Sequence, residues 1–247
     1  MTQRFSTCRV IVDSKSRSGS INMALDEVLL ETSVARRECS VRVYRWSEAT
    51  LSLGYFQSDV AAGQQPDLAP LPRVRRLSGG GAILHHHELT YSCALPSDHP
   101  LSQIPDQLYN RVHQRLIAML SSRGVPACMR GDRAAESNDG FLCFGRGDRR
   151  DVLVEGNKIL GSAQRRRRGA ILQHGSLLLS QSPYGLQFPG LAELVPDFDD
   201  RDLISELAAT VGNLLGAKLV YTGFSRQELA WAQRLQSERY SDVNCHV

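Results

Sequence analysis

Apolar residues recur at helical spacing in several stretches. Over 104–123, Leu108, Val112, Leu116, Met119 and Leu120 fall on one face, and Gly124 ends the run. Over 21–32, Ile21, Leu25, Val28 and Leu29 do the same behind Ser20. A third helix is predicted over 200–215, closed by Gly216. A fourth begins at Ser225, where Glu228 three residues later makes a capping box. Alternation and short apolar runs predict strands over 8–12, 41–46, 51–53, 90–95, 152–155, 158–163 and 170–179. The stretches 73–77 and 82–85 flank three glycines like the arms of a hairpin or tight connection. Strands and helices mix without a βαβ repeat, so the expected class is α+β, with a mixed, largely antiparallel large sheet. The long stretch 133–150 is rich in Gly, Asp, Asn and Arg and reads as a loop that is functional or mobile.

At 247 residues the chain suits one large domain, and 1–247 is read as a single catalytic domain without a separate C-terminal accessory domain. There is no apolar run long enough to span a membrane. The first residues carry no signal-peptide h-region, so a cytoplasmic location is expected. Six cysteines stand without a CxxC pair, which argues against both a disulfide framework and a zinc ribbon. The net charge of +3 is too small to imply nucleic acid.

Chemistry concentrates in two blocks. The first is Arg75, Arg76, Leu77, Ser78, Gly79, Gly80, Gly81, Ala82, Ile83, Leu84, His85. Three glycines let the backbone turn sharply and approach a ligand, with N–H groups free to meet an oxygen. By itself such a stretch is also a flexible hairpin turn. The adjacent His85, His86 and His87 invite a metal reading, but neighbouring strand residues point to opposite faces and cannot converge on one ion, so no metal is expected. The second block runs from Glu155 through Lys158, Gly161, Ser162 and Ala163 to Gln164, followed by Gln173, His174, Gly175 and Ser176. Lys158 is either a surface lysine at a turn or a cation beside a dry, small-residue pocket, where it can hold an acyl carbonyl oxygen. His174 is either a core histidine or part of the substrate site. Cys143, between Leu142 and Phe144, is either a packed hydrophobe or a nucleophile, with Arg146, Arg149 and Arg150 near enough in sequence to favour a thiolate. The run 165–168, four arginines, is a solvated hairpin tip or a docking patch for an acidic protein.

Together the two blocks resemble those of the lipoate–protein ligase, octanoyltransferase and biotin ligase superfamily. The cysteine–Phe pair fifteen residues before the lysine is most similar to the Bacillus-type octanoyl-[acyl-carrier-protein]:protein octanoyltransferases. In the other octanoyltransferase branch the cysteine follows the lysine, and this chain has none between Lys158 and Cys245. The chain departs from the Bacillus type after Phe144, where Gly145, Arg146, Gly147, Asp148, Arg149 and Arg150 stand in place of a proline-serine-tryptophan-like string. The resemblance implies a large and a small sheet flanked by helices. It also implies Cys143 and Lys158 as catalytic residues, and a substrate site drawn from Arg76, Ser78, Gly79, Gly80, Gly81, His85, Gly161, Ser162, Ala163 and His174. Ile83, Leu84 and Leu160 are the expected walls of an acyl tunnel. The implied reaction carries octanoyl from octanoyl–acyl carrier protein to a lysine of lipoyl domains, those of 2-oxoacid dehydrogenases and the glycine cleavage H protein, without a cofactor. The alternatives are an ATP- and Mg-dependent lipoate–protein ligase and a lipoyl amidotransferase. An RNA-binding module using 165–168 ranks last, since no aromatic stacking pattern accompanies the arginines.

Overall fold

A computed structural model describes residues 5–58, 65–132, 141–145 and 147–241. Of the long loop read over 133–150, residues 133–140 and Arg146 lie outside this set, as does Cys245. The elements run β1 (Thr7–Val12), α1 (Gly19–Arg36), β2 (Ser40–Tyr44), β3 (Thr50–Leu53), β4 (Arg73–Arg75), β5 (Ile83–His85) and β6 (Glu88–Leu95). They continue with α2 (Pro105–Ser122), β7 (Cys128–Met129), β8 (Val152–Val154), β9 (Asn157–Arg167), β10 (Ala170–Leu178) and a single-turn α3 (Leu191–Leu194). The chain then forms α4 (Leu203–Leu215), β11 (Lys218–Tyr221) and α5 (Arg226–Leu235).

Eight strands form one sheet in the order β11-β1-β2-β6-β10-β9-β8-β7. β1 is parallel to both β11 and β2, and the remaining pairs are antiparallel. A second sheet has the order β4-β3-β5. This is the mixed, largely antiparallel α+β fold expected. One detail differs. The strands on either side of the glycines do not pair with each other as a hairpin. β4 lies parallel to one edge of β3 and β5 antiparallel to its other edge, so the glycine segment crosses the end of β3.

Strand alternation sorts the core into two layers. Val41, Val43, Leu89, Tyr91, Cys93 and Leu95 face α2 and α4, where Leu108, Val112, Leu116, Leu207 and Val211 close a continuous apolar cluster. On the opposite face, Ala94 and Leu172 meet Leu29 and Leu30 of α1, and Tyr44 meets Met23 and Ala24. With both faces covered, all eight residues of β6 are buried. The capping box read at Ser225 is present. The Ser225 hydroxyl accepts from the Glu228 N–H, and the Glu228 carboxylate accepts from the Ser225 N–H. Glu228 also takes a two-pronged contact from Arg9 of β1, which pins the last helix to the sheet.

The α1 face of β2 carries a buried charge. Arg42 is fully buried with its guanidinium 3.8 Å over the Tyr44 ring. It donates to Asp13 at 2.9 Å, to the Asn22 side chain at 2.7 Å and to Asp26 at 3.3 Å. Burial pushes the Asp13 and Asp26 carboxyls up. Hydrogen bonds from Arg17 and His174 and the charge of Arg42 more than offset it, and both stay below the ordinary carboxylate value. Arg42→Met keeps the volume but leaves Asp26 without its guanidinium and Asp13 with Arg17 alone. It is expected to lower the unfolding free energy by about 3–5 kcal/mol, read as a shift in the urea midpoint; an unchanged midpoint would show the charge to be dispensable.

Candidate active site

The glycine turn is built around Arg76. Its N–H bonds to the Leu53 carbonyl at 3.0 Å, which aligns the chain with the end of β3. Its side chain then turns inward, only 2% exposed, and donates to the carbonyls of Ser52, Gly79 and Gly81 at 2.7–2.8 Å. One cation therefore gathers three carbonyls and closes the loop. Gly80 sits at φ 95, in the region that L side chains avoid. A Cβ on Gly54 would lie 2.0 Å from the Gly80 oxygen, so two glycines are needed where the turn crosses β3. Burial pulls the Arg76 guanidinium down to about 10, and it remains cationic at neutral pH. Its partners among the described residues are carbonyls and the Ser52 hydroxyl, with no carboxylate among them.

Lys158 opens β9 and is likewise buried. Its stem folds back over Gly161, where an added Cβ would meet the lysine Cε at 2.7 Å. This is the physical reason for a glycine three residues after the lysine. The ammonium lies 3.0 Å from Asp151 Oδ1 and 3.1 Å from the Cys143 carbonyl oxygen, with the Phe144 ring centroid at 5.2 Å. Burial outweighs the lysine's charge at Asp151 and raises its carboxyl above the ordinary value. Cys143 itself sits in a single 3-10 turn, Cys143–Gly145, whose first N–H donates to the Ala82 carbonyl at 2.6 Å. That bond ties the cysteine segment to the residue after the glycines.

These groups surround a cavity of about 370 Å³, within the range of small-molecule sites. Arg76, Gly79, Gly80, His85, Cys143, Lys158, Gly161, Ser162, Ala163 and His174 all line it. Ser78 and Gly81 do not; they act behind the wall. Gly81 offers its carbonyl to Arg76, and Ser78 bonds His174 Nε2. His174 Nδ1 faces Asp26 Oδ2 at 3.3 Å, so the histidine is held at both nitrogens between α1 and the glycine turn. His85 bonds Glu88 at 2.7 Å and stacks on Trp46 with ring centroids 3.8 Å apart. His86 and His87 bond Ser182 and the Gln181 carbonyl, so the three imidazoles serve three separate partners.

Several expectations change. Ile83 lines the cavity, but Leu160 is wholly within the core and Leu84 lines a smaller neighbouring recess, because alternation along each strand turns them away. Of the arginines expected near Cys143, Arg150 alone among the described residues lines the same cavity. Arg150 is taken by Asp148 and Asp106 and lies over Tyr109, Arg149 is exposed, and Arg146 lies outside the described residues. Arg76 and Lys158 line the cavity with the thiol as well. The run 165–168 is mostly strand, with only Arg168 and Gly169 making the turn.

Asp151, Tyr109 and His113 also line the cavity and were not singled out from the sequence. An Asp flanking a strand and two residues of an amphipathic helix carry no local signal. His113 donates from Nδ1 to the Arg150 carbonyl at 2.5 Å and accepts at Nε2 from the Ser162 hydroxyl at 2.6 Å. Burial pulls it down to about 4, so it is neutral at physiological pH.

The family model described as "Lipoyl protein ligase A/B catalytic domain" matches residues 18–214. An octanoyltransferase LipM from Clostridioides difficile is 31% identical over 217 residues, which cover 85% of this chain and 80% of the relative. An octanoyltransferase LipM from Brevibacillus brevis is 36% identical over 176 residues, covering 67% of this chain and 64% of the relative. Among solved structures, a lipoate-protein ligase A bound with ATP superimposes with a TM-score of 0.68 at 18% identity, covering 96% of both chains. A bi-partite lipoate protein ligase with its E2 lipoyl domain, from Thermoplasma acidophilum, gives 0.67 at 19% identity, covering 98% of this chain and 96% of that one. At these identities the structures bear on the fold alone.

The folded-state value of His113 lies below its ordinary 6.5. On acidification the unfolded chain takes up this proton first. The contribution of His113 is therefore whole above pH 6.5 and is lost as the pH falls toward 4. Unfolding midpoints in urea at pH 7 and pH 5 should differ less in His113→Gln than in wild type; equal differences would mean that His113 is protonated in the fold.

Proposed function

The chain belongs to the lipoyl protein ligase A/B catalytic-domain family, and on that premise we propose that it is an octanoyltransferase of protein lipoylation working through a thioester on Cys143. The observation that carries the reading is the convergence of Cys143, Lys158 and the glycine turn on one cavity. The Cys143 thiolate attacks the carbonyl of an octanoyl thioester presented by acyl carrier protein, and the carrier thiolate leaves. The octanoyl group then rests on Cys143. The amine of an acceptor lysine attacks that thioester, the amide forms, and the Cys143 thiolate departs. The proton lost by the amine ends on a thiol or in solvent. A thioester is exchanged for a thioester and then for an amide, so the sequence needs no ATP, metal or other cofactor.

Each tetrahedral intermediate places negative charge on the former carbonyl oxygen. The Lys158 ammonium, fixed by Asp151, and N–H groups of the glycine turn are the donors proposed to meet it. Arg76 and Lys158 line the same cavity as the thiol. Met23, Ile83 and Phe144 line the same cavity and offer apolar contact for the acyl chain. The acceptors in this reading are lipoyl domains of 2-oxoacid dehydrogenases and the glycine cleavage H protein.

Incubated with octanoyl–acyl carrier protein and no ATP, the protein should gain the mass of one octanoyl group. Cys143→Ser should lose both this adduct and the transfer. Lys158→Ala should stay folded and lose about 3 to 4 kcal/mol of transition-state stabilisation, on the order of a hundred- to a thousandfold in rate. Transfer by the Cys143→Ser variant, or a requirement for ATP and free lipoate in wild type, would replace the thioester route with a ligase.

A further inference from the structure

Among the described residues, His85, His113 and His174 bring imidazoles to the cavity. Two of these rings have both nitrogens engaged. His113 lies between the Arg150 carbonyl and the Ser162 hydroxyl, and His174 between Asp26 and the Ser78 hydroxyl. The carboxylates at the same wall are taken as well, Asp148 by Arg150 and Asp151 by Lys158. His85 differs. Its Nε2 is buried and meets no hydrogen-bond partner among the described residues. Buried polar atoms are nearly always satisfied, so an orphan on a residue of the cavity wall points to a partner that a ligand brings.

The hydrogen bonds around the ring decide what that partner is. The Trp46 indole N–H can only donate, and it bonds Thr90 Oγ1 at 2.9 Å. The Thr90 hydroxyl donates in turn to Glu88 Oε1 at 2.6 Å. Glu88, as a carboxylate, only accepts, so His85 Nδ1, 2.7 Å from the same oxygen, carries the hydrogen. The Ser176 oxygen lies 3.4 Å from that nitrogen. In the neutral ring Nε2 is therefore a bare lone pair, ready to accept. Trp46 stacks on the imidazole with centroids 3.8 Å apart and fixes its plane. Glu88 is 1% exposed, and its charge stands where an imidazolium would need it. A ring oriented and backed in this way by an acid is suited to take up a proton.

We propose that His85 is the general base of the second transfer step, taking the proton of the acceptor amine at Nε2, with Glu88 as its positioning residue. The inference rests on the thioester-transfer reading and assigns the proton transfer within it. The neutral amine attacks the carbonyl carbon of the Cys143 thioester, and a carbon–nitrogen bond forms. The proton that the nitrogen must then shed moves to Nε2, and the imidazolium is held against Glu88. The carbon–sulfur bond breaks with its electron pair on the Cys143 sulfur. The imidazolium releases its proton to solvent once the amide product leaves, which restores the base. The first step has no need of this group, because a thiolate attacks and a thiolate departs.

Loaded protein, isolated after reaction with octanoyl–acyl carrier protein, can be discharged to an isolated lipoyl domain or to hydroxylamine. Hydroxylamine is largely uncharged at neutral pH and attacks without a base. In His85→Gln the lysine rate divided by the hydroxylamine rate should fall by about a hundredfold or more. Glu88→Gln keeps an acceptor for Nδ1 but removes the charge behind the ring, and the ratio should fall by about tenfold. An unchanged ratio in both variants, or an equal loss of both rates, would overturn the proposal and leave His85 a wall of the cavity. A folded His85→Gln protein that cannot be loaded would also overturn it, by placing the ring in thiolate formation. Nitrogen NMR of the wild-type protein at about pH 8 checks the premise without any variant: Nδ1 should carry the hydrogen and Nε2 none. An Nε2–H tautomer would overturn the proposal even if neither variant folds. Failure of wild type to load at all would remove the thioester reading, a result distinct from every change in the ratio.

Discussion

A single buried carboxylate, Asp26 of α1, holds the cavity wall together. It accepts from Arg42 of β2, the Tyr44 hydroxyl, the Ser92 hydroxyl of β6 and the His174 ring of β10. Three strands of the large sheet are thereby fixed to one turn of one helix. His174 passes the constraint on to Ser78 at the root of the glycine turn. In a dry interior each of these bonds is strong because no water competes, and each is costly to leave unmade. The position of the glycine turn relative to the sheet is therefore set by a polar network, while the apolar layers set only the overall stacking.

How much of this was legible in the sequence follows from the range of each interaction. The helix over 104–123, the capping box at Ser225 and the Lys158 turn are local patterns, and they appear nearly where they were read, as Pro105–Ser122, Arg226–Leu235 and the start of Asn157–Arg167. Short strands around the glycines were visible, but their pairing was not, since it depends on β3 inserting between them from twenty residues upstream. Asp26 was invisible for a related reason. A polar residue inside an amphipathic helix reads as solvent-facing, and only its long-range partners make it buried. The same applies to His113, and Asp151, flanking β8, carries no periodic signal at all. Of the described arginines after Cys143, Arg150 reaches the cavity but spends its guanidinium on Asp148 and Asp106, partners that sequence proximity to the cysteine does not reveal.

Arg76 and Lys158 are held at the cavity by different means, and the difference matters for the proposed chemistry. Lys158 is matched by a carboxylate, Asp151, so its charge is largely balanced before substrate arrives. Arg76 is surrounded by neutral carbonyls that solvate it without cancelling its charge. An anion formed in the cavity therefore meets net positive charge chiefly from Arg76, while Lys158 supplies a directed hydrogen bond. A transient oxyanion gains from both, the net charge and the directed donor. Exchanging the two would serve neither. A guanidinium fixed by three carbonyls cannot follow a reacting oxygen, and a lysine on a flexible stem cannot gather three backbone carbonyls into a turn.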